Sequence, residues 1–260
     1  MPEVLKIATW NINSVRIRVQ QLALWLQRNN IDIVLLQELK CQNEQFPFDD
    51  FETLGYNCYV SGQKSYNGVA ILSKFPADEI NISFDDNPCP DEARFIEIAL
   101  KLPIGYSRIA SVYVPNGGEV LSDKYEKKLL FLDALNKYLQ KISYDEHYII
   151  GGDYNVAVDD IDVYSPEDME NSTCFTQIER QKIRKIKNSG LLDPADFIEQ
   201  KNRFTWWDYR AGCFQNNKGL RIDYFLMGAK AIDLFKDLKV DIDARREEKS
   251  SDHAPVILAF

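Results

Sequence analysis

The chain has 260 residues, 45% of them hydrophobic, enough to bury one sizeable core, and a single domain over 1–260 is expected. Forty acidic against 31 basic residues give a formal net charge of -9, which argues against holding nucleic acid by bulk positive charge alone. No apolar run approaches the roughly 18 to 20 residues of a membrane span, and residues 1–9 lack the pattern of a signal peptide, so a soluble, intracellular protein is expected. The five cysteines (Cys41, Cys58, Cys89, Cys174, Cys213) are scattered and form no CxxC pair, which indicates neither a disulfide framework nor a zinc site.

Along the chain, short β-rich apolar runs stand at 6–10, 31–36, 69–72, 95–100, 108–114, 148–150, 220–227 and 255–260. Three helical patterns lie between them. The first places Val15, Leu22, Trp25 and Leu26 on one face before Asn29-Asn30. The second covers about 122–142: Asp123 and Glu126 have capping-box spacing, and Tyr125, Leu129, Leu132, Leu135, Leu139 and Ile142 form a stripe of period 3.6. The third opens at Thr176, with Glu179 three residues on, and stops at Gly190. Strands outnumber helices and the helices fall between strand pairs, an α/β or α+β pattern. The tracts 85–91 and 159–173 are polar and turn-rich and read as surface loops, with Asp159-Asp160 as a solvated acidic run. No sequence repeat is visible.

The informative feature is positional: polar residues end or interrupt the apolar runs. Asn11 follows the first, Glu38 the second and Tyr113 interrupts the run at 108–114, while Asp153 and Asn155 follow Gly151-Gly152. Asp223 stands inside 220–227, and Asp252-His253 precede the last run. If the strands lie side by side, these ends gather into one acidic cluster. A hard cation such as Mg²⁺ needs only one or two carboxylates plus a substrate phosphate; it polarises a phosphoryl oxygen and stabilises a leaving alkoxide. Such a metal also reverses the local field, so that a phosphate sees positive charge despite the acidic composition. Asp153, Asn155 and His253 are the right types to orient a water and to donate to developing charge.

The segments Thr9-Trp10-Asn11-Ile12-Asn13, Leu36-Gln37-Glu38, Val112-Tyr113-Val114-Pro115-Asn116, Gly151-Gly152-Asp153-Tyr154-Asn155, Arg221-Ile222-Asp223-Tyr224 and Ser251-Asp252-His253 occur in the order found in exonuclease III and the related abasic-site endonucleases, within the endonuclease/exonuclease/phosphatase family, which the whole chain resembles. The resemblance implies a four-layer α/β sandwich of two packed sheets flanked by helices. It makes Glu38 the principal metal ligand, with Asn11 and Asp252 around the metal, which is Mg²⁺ with Mn²⁺ also supporting activity. Asp153 orients or deprotonates the attacking water, Asn155 holds water or phosphate, Asp223 orients His253, and Tyr113 contacts the phosphate as a phenol or phenolate. The expected substrate is double-stranded DNA with abasic sites or 3′ blocking groups. The expected reactions are incision 5′ of the lesion, 3′-to-5′ exonuclease and 3′-phosphatase or 3′-repair diesterase activity, by a monomer in a bacterial cytoplasm.

The stretch 203–210 followed by 219–223 resembles the sugar-binding wall of the DNA-repair branch, with Trp206, Leu220 and Ile222 enclosing a flipped-out deoxyribose. Alternation along a strand then sends Trp207 to the core. Tyr66, Arg94, Asn116 and Lys40 match positions that touch the DNA backbone, and Arg210 is of the bacterial kind. Animal members carry tryptophan where this chain has Leu220 and an intercalating arginine where it has Glu119. The Trp206, Leu220 and Arg210 region sets the chain apart from RNA, inositol-phosphate and sphingomyelin phosphodiesterases of the same fold. A complete catalytic set sets it apart from a damage-binding protein without activity. His147 matches no motif and reads as a structural or surface histidine.

Overall fold

Strands buried on both faces carry near-continuous apolar runs, and their alternate residues belong to different layers. The computed structural model describes residues 4–142, 146–199 and 203–260. Its strands are β1 (Lys6–Asn11), β2 (Ile33–Gln37), β3 (Asn57–Ser61), β4 (Val69–Ser73), β5 (Glu79–Asn81), β6 (Phe95–Leu102), β7 (Gly105–Tyr113), β8 (His147–Asp153), β9 (Leu191–Leu192), β10 (Asp223–Gly228), β11 (Asp237–Val240) and β12 (Val256–Ala259). They form two six-stranded sheets, ordered β11-β12-β1-β2-β4-β3 and β5-β6-β7-β8-β10-β9. Each sheet pairs antiparallel throughout except at its centre, where β1 runs parallel to β2 and β7 to β8. The chain therefore contains a structural repeat that its sequence does not display.

Three apolar layers follow from the period of two. Ile7, Ile33, Leu35 and Ile71 of the first sheet meet Ile98, Ile109, Ile149 and Phe225 of the second in the central core. Ala8, Trp10, Val34 and Leu36 point the other way, under helix α1 (Val15–Asn29) and its Leu22, Trp25 and Leu26. Ala110, Val112, Tyr148 and Ile150 likewise lie under α3 (Asp123–Leu139) and α5 (Gln177–Asn188), which follow the short α2 (Phe48–Glu52) and α4 (Pro166–Met169). These layers are the four-layer sandwich expected from the sequence. At Gly151 a Cβ would meet Phe225 at 2.5 Å and Leu35 of the opposite sheet at 2.9 Å, and at Gly152 it would lie 1.9 Å from the Val112 carbonyl. The two glycines let the sheets close just before Asp153.

Some local expectations are corrected. The run 220–227 is a strand only from Asp223; before it, Leu220 makes isolated bridges to Trp206 and Val163. Ser122, not Asp123, caps α3 by accepting from the Tyr125 amide, because the helix starts one residue earlier than the capping-box spacing suggests. Asp159 and Asp160 are not simply solvated: they pair with Arg184 at 2.8 Å and Arg180 at 2.7 Å. The tract 159–173 is also more ordered than a plain loop. It holds a short 3-10 turn and α4, and Asp162 is buried beside Arg203 at 3.2 Å. No helix among the described residues is long and apolar enough to cross a membrane, and all five cysteines are free.

Candidate active site

The site forms where both parallel strand pairs end. Register puts Tyr113 and Asp223 on either side of Asp153 across β7, β8 and β10, and Asn11 beside Gln37 at the ends of β1 and β2. The sheets are cross-linked just beneath: the Gln37 amide donates to Ser111 Oγ at 2.9 Å, and Ser111 Oγ donates to the Leu36 carbonyl at 3.1 Å. Asn11 completes the join, its Nδ2 donating to Glu38 Oε1 at 3.0 Å and to Asp153 Oδ2 at 2.9 Å. Glu38, Lys40 and Asn155 hold left-handed backbones with φ of 54°, 54° and 51°. Such conformations are uncommon for Glu and Lys and persist only where surroundings over-determine them.

Each group's hydrogen bonds define its protonation. Burial raises the proton affinity of Glu38, but Lys40 at 2.8 Å, the Asn11 amide and His253 outweigh it and hold the carboxyl below its ordinary range. Asp252 is likewise lowered against the effect of burial, by His253, the Asn13 amide at 2.8 Å and the Trp206 indole at 3.0 Å. Burial and the neighbouring Asp223 carboxylate raise the proton affinity of Asp153 well above that of an ordinary aspartate. Burial opposes the charge on His253, yet Asp223, Asp153 and Asp252 raise its pKa to about 10. Its Nδ1 donates to Asp223 Oδ2 at 2.8 Å, while Nε2 lies 3.9 Å from Asp153 Oδ2. Tyr113 is raised well above the usual phenol value by burial, then by Glu38 and Asp153; it is a neutral phenol that donates to Glu38 Oε1 at 3.0 Å.

Glu38, Asp153 and His253 offer ligand atoms within 4.8 Å of one another. They open onto a cavity of about 590 Å³, a volume usual for a small-molecule site. Tyr113, Asn116, Asn155, Trp206, Leu220, Ile222 and Asp252 also line it. Asn11 and Asp223 lie buried behind this lining. Trp207 points to the core at 1% exposure, edge-on to Phe214. The residues matched to backbone contacts scatter. Tyr66 is 71% exposed away from the cavity lining, Arg210 is exposed and paired with Asp208 at 2.8 Å, and Lys40 is tied to Glu38. Arg94 is turned inward: it pairs with Glu92 at 2.5 Å and stacks on Tyr113, 4.8 Å from the ring centre. His147 Nδ1 donates to the Tyr106 carbonyl at 3.2 Å, outside the site.

Sequence reasoning missed several contributors. Tyr164, Met169 and Thr173, from the tract read as a surface loop, and Cys174 just after it line the cavity. Thr205 is fully buried; its hydroxyl donates to Asp223 Oδ2 at 2.6 Å and accepts from the Ile222 and Asp223 amides. The only signal for Thr205 was its place one residue before Trp206.

A model of the Endonuclease/Exonuclease/phosphatase family matches residues 8–253. The chain belongs to that family. It is 31% identical to exodeoxyribonuclease III of Haemophilus influenzae, over 98% of this chain and 100% of that one. Among solved structures, an AP endonuclease from Archaeoglobus fulgidus is 37% identical with a TM-score of 0.93, covering 98% of this chain and 99% of that one. A 3′ phosphatase from Neisseria bound to product DNA hairpin is 33% identical with a TM-score of 0.94, over the same 98% and 99%. This member of the family is a hydrolytic nuclease.

Proposed function

We propose that this nuclease is a DNA-repair phosphodiesterase that uses Mg²⁺ to incise the backbone 5′ of abasic sites. At the same centre it removes 3′ blocking groups and 3′ nucleotides. One observation carries the reading: the cavity walled by Trp206, Leu220 and Ile222 opens directly onto Glu38, Asp153 and His253. An apolar recess beside phosphoryl-transfer groups admits a sugar without a base and rejects an intact nucleotide, and a missing base lowers the cost of extrusion. The names of the Archaeoglobus and Neisseria relatives support the substrate class.

The donor set fits a hard cation. Glu38 and Asp252 are carboxylates held ionised, and the cluster of possible ligand atoms found among the described residues, Glu38, Asp153 and His253, contains no cysteine to favour a softer metal. Glu38 and Asp252 would hold Mg²⁺, or Mn²⁺ in its place, with the Asn11 amide fixing Glu38 and Asp153 beside them. Bound there, the ion supplies Lewis-acid polarisation of the phosphoryl oxygen. The chain's own groups do the rest. Asp153 takes the proton of the attacking water, and Asn155 and Asn116 hold water and phosphate. Charged His253 donates to a non-bridging oxygen, and the Tyr113 phenol contacts the phosphate. Lys40, Arg210 and Tyr66 are the groups assigned to the duplex, with Arg94 supporting Tyr113 from behind. These local cations and the metal answer the acidic net charge.

Trp206 has two roles that substitutions separate, because its ring walls the recess while its indole N–H holds Asp252. Trp206→Ala should lower the preference for abasic over intact duplex by about tenfold or more. Trp206→Phe should keep that preference and raise the Mg²⁺ concentration for half-maximal rate. Competition between the two duplexes in one reaction measures the first effect; an unchanged preference in Trp206→Ala would remove the ring from the recognition of the lesion.

A further inference from the structure

Lys128 lies on the buried face of α3 with a side chain 0% exposed, and its ammonium has three acceptors: the Asn155 carbonyl at 2.7 Å, the Asn116 carbonyl at 3.1 Å and the Glu179 carboxylate. Glu179 is equally buried and also accepts from the Cys174 amide at 3.1 Å, the Thr176 amide at 3.0 Å and the Thr176 hydroxyl at 2.7 Å. Gly117 crosses directly over the lysine stem: a Cβ there would sit 3.0 Å from Lys128 Cδ, and its φ is +94°. The ion pair thus ties α3 and α5 to the backbones that carry Asn116, Asn155 and Cys174.

Stability alone does not call for this charge. A buried ion pair is often matched or bettered by well-packed apolar residues, since desolvation offsets the attraction. An apolar side chain cannot hold two carbonyls from different loops. Here both carbonyls belong to residues whose side-chain amides line the cavity and bond to each other, Asn116 Nδ2 to Asn155 Oδ1 at 3.0 Å. Asn155 also holds a left-handed backbone, with φ 51°, which turns its carbonyl and its side chain to different sides of the loop.

We propose that Lys128 is a positioning residue for the reaction: by gripping the Asn116 and Asn155 carbonyls it fixes the amide pair that faces the phosphate. This rests on the roles proposed above for those two asparagines. A misplacement of about 1 Å at such groups costs about a hundredfold in rate, so the effect belongs in kcat and not in binding.

The test uses Lys128→Met and the charge-neutral pair Lys128→Met/Glu179→Gln, each with and without Asn155→Ala. Steady-state kinetics are run on a duplex with a tetrahydrofuran abasic analogue at saturating Mg²⁺, beside thermal melting. The paired variant leaves no unpaired buried charge and carries the measurement if Lys128→Met does not fold. The expected result is a kcat lower by about tenfold to a hundredfold in both lysine variants, with KM changed by less than about threefold. In the Asn155→Ala background the same substitutions should lower kcat by less than about twofold further, because both changes remove one function. If Asn155→Ala is slow but the lysine variants are not, or if the two effects multiply as independent damage does, the assignment of Lys128 is overturned and the asparagine roles stand. An Asn155→Ala protein with wild-type kcat would overturn those roles and this inference with them.

Discussion

Replacing Glu38 by glutamine should slow turnover by about a thousandfold, the equivalent of about 4 kcal/mol of lost transition-state stabilisation. The substitution keeps the shape of the side chain, and the amide oxygen still accepts from Asn11. What disappears is the one carboxylate that Lys40, Asn11 and Tyr113 all converge on and that is held ionised at neutral pH. A neutral amide binds a hard divalent ion far more weakly than a carboxylate. The Mg²⁺ dependence of the rate should therefore shift to higher concentration as well as to a lower plateau. Magnesium titrations of both proteins, followed by rate and by calorimetry, check this. An unchanged metal requirement in Glu38→Gln would remove Glu38 from the metal site.

Asp223→Asn should move the alkaline limit of activity to lower pH and lower the maximal rate by about two orders of magnitude, the loss typical of a transition-state donor. The sign follows from the pair. Burial alone favours neutral imidazole, and His253 is raised to about 10 because Asp223 is 2.8 Å from Nδ1 with Asp153 and Asp252 beyond it. Wild-type His253 is thus charged throughout the neutral range and deprotonates only as pH rises through that value. Asparagine retains a hydrogen-bond acceptor for Nδ1 but removes the largest force favouring the imidazolium, so the pKa falls and the charged donor is lost earlier as pH rises. Thr205, which donates to the same Asp223 oxygen, keeps the replaced side chain in place. The measurement is a pH-rate profile of both proteins at saturating Mg²⁺, with NMR titration of the His253 ring. Equal His253 pKa values in the two proteins would break the assigned pairing.

The sequence was most legible where burial is two-sided. All eight apolar runs contain strands, and the strands without a signal, β3, β5, β9 and β11, are the edges of the two sheets. Edge strands are short and exposed, as the three residues of β5 all are, and so lack the apolar run of a central strand. The polar cluster around Glu38, Asp153 and His253 was legible because most of its residues flank the ends of central strands, and the strand ends of the parallel pairs converge on one edge. The cavity's far wall was not, since Tyr164, Met169 and Thr173 reach it through a tract whose polar composition reads as solvent-facing. Lys128 was hidden for another reason. Its neighbour Leu129 fits the helical stripe by hydropathy, yet Lys128 is the fully buried one, and Leu129 only partly so. A pattern of hydrophobicity cannot announce a buried cation whose partners come from two loops and another helix.

On the function proposed above, one centre couples the recess walled by Trp206, Leu220 and Ile222 to metal-assisted phosphodiester cleavage. The most direct test is a single gel with a duplex carrying a central abasic analogue and its intact counterpart, each incubated with Mg²⁺ or with EDTA. One incision is expected, immediately 5′ of the analogue and in Mg²⁺ alone, with the intact strand uncut at its interior. Interior cleavage of both duplexes alike, or incision that persists in EDTA, would contradict it.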